Sequence, residues 1–142
     1  MTRQTDLPWR LMDHPADLRI EVHGKDVPDL FLNAAKALTD LLRPNIRPVP
    51  THTEDLVLES SDYETLLVDW LREILFYHEA KDLVLADAQI KELTPTRLVV
   101  RVGWDSRSGG GATNREIKAV TYHGVSLQKE PHGYATQILF DI

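Results

Sequence analysis

A chain of 142 residues, 42% hydrophobic and 27% charged, is long enough to bury a real core and reads as one domain over 1–142. Its formal net charge of −6, with 16 scattered basic residues, argues against sequence-independent nucleic-acid binding, which needs clustered Lys and Arg. With no cysteine there is no disulfide, thiolate nucleophile or Cys-ligated zinc. No apolar run reaches the ~20 residues of a membrane span. MTRQTDLPWR lacks the apolar stretch of a secretory signal, so the cytoplasm is the expected compartment.

Trp9-Arg10-Leu11-Met12 reads as a short strand entering a turn at Asp13-His14-Pro15-Ala16-Asp17. Leu18, Ile20 and Val22 then alternate with Arg19, Glu21 and His23, the period of a half-buried strand that Gly24 ends. Asp26 as N-cap and Pro28 in the first turn predict a helix from Val27 to Leu42, burying Leu30, Phe31, Ala34, Ala35, Leu38 and Leu41. Pro44, Pro48 and Pro50 forbid its continuation. Leu56 to Leu58 mark a strand. Ser61 and Glu64 form an S-x-x-E capping box for a second helix through about Ala80, with Leu66, Leu67, Trp70, Leu71, Ile74 and Leu75 as its apolar stripe.

Ala86, Ala88 and Ile90 alternate with polar residues, as do Leu98, Val100, Val102 and Trp104 beyond a Thr94-Pro95-Thr96 turn, which predicts a hairpin. Asp105 to Asn114, with Gly109-Gly110-Gly111, reads as a loop; it lacks the G-x-x-x-x-G-K-[ST] pattern of a phosphate cradle. Alternating strands follow over about Glu116 to Gln128 and Tyr134 to Asp141. Two amphipathic helices and some seven strands predict an α+β fold: a two-layer sandwich with a largely antiparallel sheet packed against both helices.

Three segments carry the candidate chemistry: Asp13 to Asp17, the strand EIKAVTYHG from Glu116 to Gly124, and the closing Phe140-Asp141-Ile142. The sequence stops one residue after Asp141, so the expectation is that the Asp141 carboxylate and the main-chain carboxylate of Ile142 lie close together. Asp17 precedes one strand and Asp141 ends another. If those strands pair antiparallel, these oxygens gather at one end and need a hard dication or a lysine between them. The alternative is that Asp17 caps a turn and Asp141 is a frayed terminal residue. Lys118 either neutralises the carboxylates, touches a partner's nucleotide or phosphate, or is a solvated strand lysine. The six histidines show no H-x-x-x-H or H-E-x-x-H spacing, so zinc is not indicated.

DHPADLRIEVHGKD, the helix entry after it, REIKAVTYHGV and the closing FDI together resemble the archease family, in order and over essentially the whole chain. Two positions depart from the family pattern. Pro15 stands where Thr is usual, and SRSGGGATN replaces a segment that is often charged and contains histidine. The resemblance implies a non-enzymatic activator of the tRNA-splicing RNA ligase, which joins RNA ends using GTP, divalent metal and a guanylylated histidine of its own. The activator promotes guanylylation and multiple turnover, and meets RNA only through the ligase. The resemblance also implies a divalent ion, calcium with magnesium or manganese as alternatives, on Asp17, Asp141 and Ile142; Lys118 lies within the family's most specific motif and stays a candidate for partner contact. Two rival readings stay open: a metal-dependent hydrolase on the same carboxylates, which lacks a general base or nucleophile, and a chaperone-like modulator of RNA-processing proteins such as RNA methyltransferases.

Overall fold

The computed structural model describes residues 7–12, 17–106, 116–122 and 124–142. His14, Pro15, the Gly109 to Gly111 run and His123 lie outside them. The described elements are β1 (Trp9–Met12), β2 (Leu18–Gly24), α1 (Val27–Leu42), β3 (His52–Glu59), α2 (Tyr63–Lys81), β4 (Val84–Thr94), β5 (Arg97–Asp105), β6 (Ala119–Thr121), β7 (Gln128–Glu130) and β8 (Gly133–Asp141). The α+β class with two helices and antiparallel pairing is therefore as the sequence predicts. The strands divide into two sheets, however. One runs β1-β2-β8-β6, with β7 also on β8, and the other runs β3-β5-β4.

Both helices are set by their caps and apolar faces. Asp26 accepts from the Asp29 N–H at 2.8 Å, and the Asp29 carboxylate accepts from the Lys25 N–H at 2.8 Å, so α1 starts where the sequence places it. The second helix starts one residue later than its S-x-x-E signal suggests. Asp62, not Ser61, is the N-cap, and it accepts from the Thr65 N–H at 2.7 Å. An aspartate one position on outcompetes the serine. Glu64 is left free to accept from the Leu127 N–H at 3.2 Å, tying the helix start to the chain ahead of β7.

The core lies between helices and sheets. Leu30, Phe31 and Leu38 of α1 are fully buried with Leu66, Trp70 and Leu71 of α2, Ile20 and Val22 of β2, and Val100, Val102 and Trp104 of β5. Trp70 Nε1–H donates to the Phe31 carbonyl at 3.1 Å, locking one helix to the other. Trp104 stacks on Tyr77 with ring centroids 4.3 Å apart and donates to Glu54 at 2.9 Å. Leu41, expected in the core, is only half-buried; Leu42 takes that place. Among the described residues no helix is long and apolar enough to cross a membrane.

The predicted strand from Glu116 to Gln128 is two three-residue strands. Gly124 takes a φ of +73° between them, a left-handed conformation that breaks a ladder. β6 pairs with one end of β8 and β7 with the other.

Candidate functional site

Strand β8 lies between β2 and β6, so one end of the larger sheet collects the residues singled out from sequence. The β2–β8 register pairs Leu18 with Phe140. Asp17 immediately precedes that last pair on one strand and Asp141 immediately follows it on the other. The β6–β8 register pairs Ala119 with Asp141, and the Lys118 N–H donates to the Asp141 carbonyl at 2.8 Å. Phe140, Val120 and Leu18 point into the core. Period two then turns the Asp141 side chain to the opposite face, where it is exposed. Ile142, one residue on, is 48% exposed. The Oδ1 atom of Asp17 is shielded from solvent.

Asp17 and Asp141 thus flank the last pair of the β2–β8 ladder, and Ile142 follows Asp141. Lys118 is exposed beside them, one residue before β6 begins. Its ammonium makes no ion pair among the described residues, so it is not seen neutralising the carboxylates. Ile117 is buried while Ala119 and Thr121 are half-buried.

The donor chemistry fits a hard dication. Two carboxylates and a main-chain carbonyl are oxygen ligands of the type calcium and magnesium take, and Asp141 is exposed on its side of the sheet. Among the described residues no three His, Asp or Glu side chains form a metal-holding group.

A second array beside this end went unread in the sequence. Arg72 of α2 donates from Nε to the Val120 carbonyl and from Nη1 to the Tyr122 hydroxyl, both at 3.0 Å. Its guanidinium carbon sits 4.2 Å from the centroid of the Tyr122 ring. The Tyr122 hydroxyl donates to Asp69, whose other oxygen accepts from Ser60. The hydrogen bond to Asp69 raises the Tyr122 pKa above its ordinary value. The usable signal was the i, i+3 spacing of Asp69 and Arg72, which puts both on one helix face. Farther along β2, His23 lies between Glu21 at 2.8 Å and Glu130 at 3.0 Å. The hydrogen bond to Glu21 and then that to Glu130 raise its pKa.

Residues 9–142 match the model of the archease protein family (MTH1598/TM1083). The chain belongs to the archease family. It is 30% identical over 145 residues to the protein archease of Methanopyrus kandleri, covering 96% of this chain and 100% of that relative. It is also 30% identical over 141 residues to the protein archease of Methanosarcina barkeri, covering 94% and 95%. The archease fold recurs in the solution structure of Methanobacterium thermoautotrophicum protein 1598, at a TM-score of 0.78 and 24% identity over 95% of this chain and 99% of that one. A Thermotoga maritima crystal structure described as an archease and possible chaperone aligns at a TM-score of 0.64 and 21% identity, over 94% and 96%.

Proposed function

We propose that this archease activates an RNA ligase of the tRNA-splicing type, promoting GTP-dependent guanylylation of the ligase and its repeated turnover without holding a covalent intermediate itself. The observation that supports the reading is the register that ends in the Leu18–Phe140 pair, one residue from both Asp17 and Asp141, while the Lys118 N–H donates to the Asp141 carbonyl. That end of the sheet is exposed, rich in hard oxygens, and flanked by a cation on a strand edge. A calcium ion, or magnesium or manganese in its place, would draw Asp17, Asp141 and the Ile142 main chain together and offer its open positions to a partner's oxygens. Lys118 is free to meet a phosphate of the ligase's nucleotide. Positioning of this kind changes phosphoryl-transfer rates without a nucleophile from the activator.

A guanylylation time course tests this, using the cognate ligase, GTP and substoichiometric ligase over RNA ends. Added protein should convert a single round into many. Identical time courses with and without it reject the reading. Asp17→Ala and Asp141→Ala should keep the fold and lose the stimulation, and full stimulation by both would leave the carboxylates without a role. Metal-dependent cleavage of a phosphoester by the isolated protein would instead favour a hydrolase.

A further inference from the structure

Strand β6 is the weak point of the carboxylate end. It has three residues and, among the described residues, lies on the edge of its sheet and pairs only with Leu139, Phe140 and Asp141. So short a strand holds its register poorly unless its free side is tied down. Yet its backbone carries Lys118 and, through the Lys118 N–H, the carbonyl of Asp141. The tie comes from α2. Arg72 binds the Val120 carbonyl and the Tyr122 hydroxyl at once, its plane lying over the Tyr122 ring, while Asp69 holds the hydroxyl from the next turn of the helix. Helix α2 is itself fixed by buried Leu66, Trp70, Leu71 and Ile74, so the anchor point is rigid. A guanidinium suits the task because its fork donates in two directions from one plane.

We infer that Arg72, together with Tyr122, is the positioning residue of the carboxylate end: it fixes β6 against α2 and thereby holds Asp141 and Lys118 where a divalent cation and its partner ligands can use them. Arg72 touches none of the proposed metal oxygens. It acts through the Val120 carbonyl and the strand. The inference takes its ligand from the metal reading above; its geometry stands apart from that reading.

The test uses the full chain with two readouts. Calorimetric titration with calcium should give about tenfold weaker affinity for Arg72→Ala, within the range that outer-shell partners usually contribute. Arg72→Lys should recover part of the loss. Tyr122→Phe, which keeps the ring and removes the hydroxyl, should give a smaller loss of the same sign. Arg97→Ala, on the other sheet with Glu59 and Glu92, should leave affinity unchanged. Hydrogen exchange of the Lys118 amide, measured without calcium and relative to amides of β5, should quicken in Arg72→Ala. Equal calcium affinity in that variant and the wild type overturns the proposal, and so does unaltered exchange at Lys118. If Arg72→Ala does not fold, Tyr122→Phe carries both measurements under the same criteria. A wild type that takes up no calcium defeats the metal reading instead, and the exchange result alone then decides on the anchor.

Discussion

Replacing Asp141 with asparagine should change the protein's stability in opposite directions with and without calcium. Asp17 and Asp141 each lie one residue beyond the Leu18–Phe140 pair. Charges about 5 Å apart repel by roughly 3 kcal/mol at an effective dielectric of 20 but by under about 1 kcal/mol in water. Asp141 is exposed, so the lower figure applies, and salt reduces it further. In chelator, Asp141→Asn should therefore melt at the wild-type temperature or about 1–3 °C above it, given roughly 3 °C per kcal/mol for a chain of this size.

Calcium reverses the order. An ion at a hundred times its Kd stabilises the form that binds it by about 2.7 kcal/mol, or roughly 8 °C here. The wild type should gain that shift and Asp141→Asn should not. Asp17→Asn should behave the same way. Differential scanning fluorimetry in EDTA and in a calcium series measures both. A wild-type melting temperature indifferent to calcium, or parallel shifts in all three proteins, would refute the reasoning, since mutual repulsion relieved by a shared ion predicts crossing curves.

Gly24→Ala should cost about 3 kcal/mol or more in urea unfolding, because its Cβ would sit 2.3 Å from the Leu30 nitrogen, a backbone atom that cannot give way. Gly124→Ala meets nothing within 4 Å and should lose only the roughly 1–2 kcal/mol of a left-handed φ; equal losses at the two positions would contradict this. Trp104→Ala should cost about 3–5 kcal/mol. Burial, with a hydrogen bond to Glu54, pushes the Tyr77 pKa up to about 12, and ultraviolet titration of the variant should find it moved back towards 10. The two partnered histidines should respond to pH in opposite senses. His23 gains protons on folding, so its contribution is complete below about pH 6.5 and disappears as pH rises through its elevated folded pKa. His78, lowered by burial and by Arg43, stays neutral while the unfolded chain protonates, so its contribution falls as pH drops below about 6.5. Proton NMR titration separates them, and two histidines both titrating near 6.5 would rule this out.

What the sequence made legible follows from which interactions are local. Helix α1 was readable in its extent because its cap, first-turn proline and apolar stripe all lie within the helix or one residue before it. The start of α2 slipped by one because Ser61 and Asp62 are both competent caps, and the S-x-x-E pattern favours the serine although the aspartate takes the role. Sheet membership was not readable at all. Alternation tells which residues face a core, but β2 and β5 alternate alike while belonging to different sheets. The same limit governs the candidate site. Asp17, Asp141 and Ile142 were singled out from strand order and assigned as ligands through resemblance, and where Asp141 points depends on one register, which a single-residue slip would destroy by turning Asp141 into the core and Phe140 out of it. Burial of Leu18, Ile20, Ile138 and Phe140 forbids that slip. The apolar residues of β2 and β8 therefore specify the acidic end as firmly as the carboxylates do. Arg72 escaped notice for the opposite reason. Its partners are a backbone carbonyl and a tyrosine about fifty residues away, and no pattern within α2 announces which strand edge a helix arginine will cover.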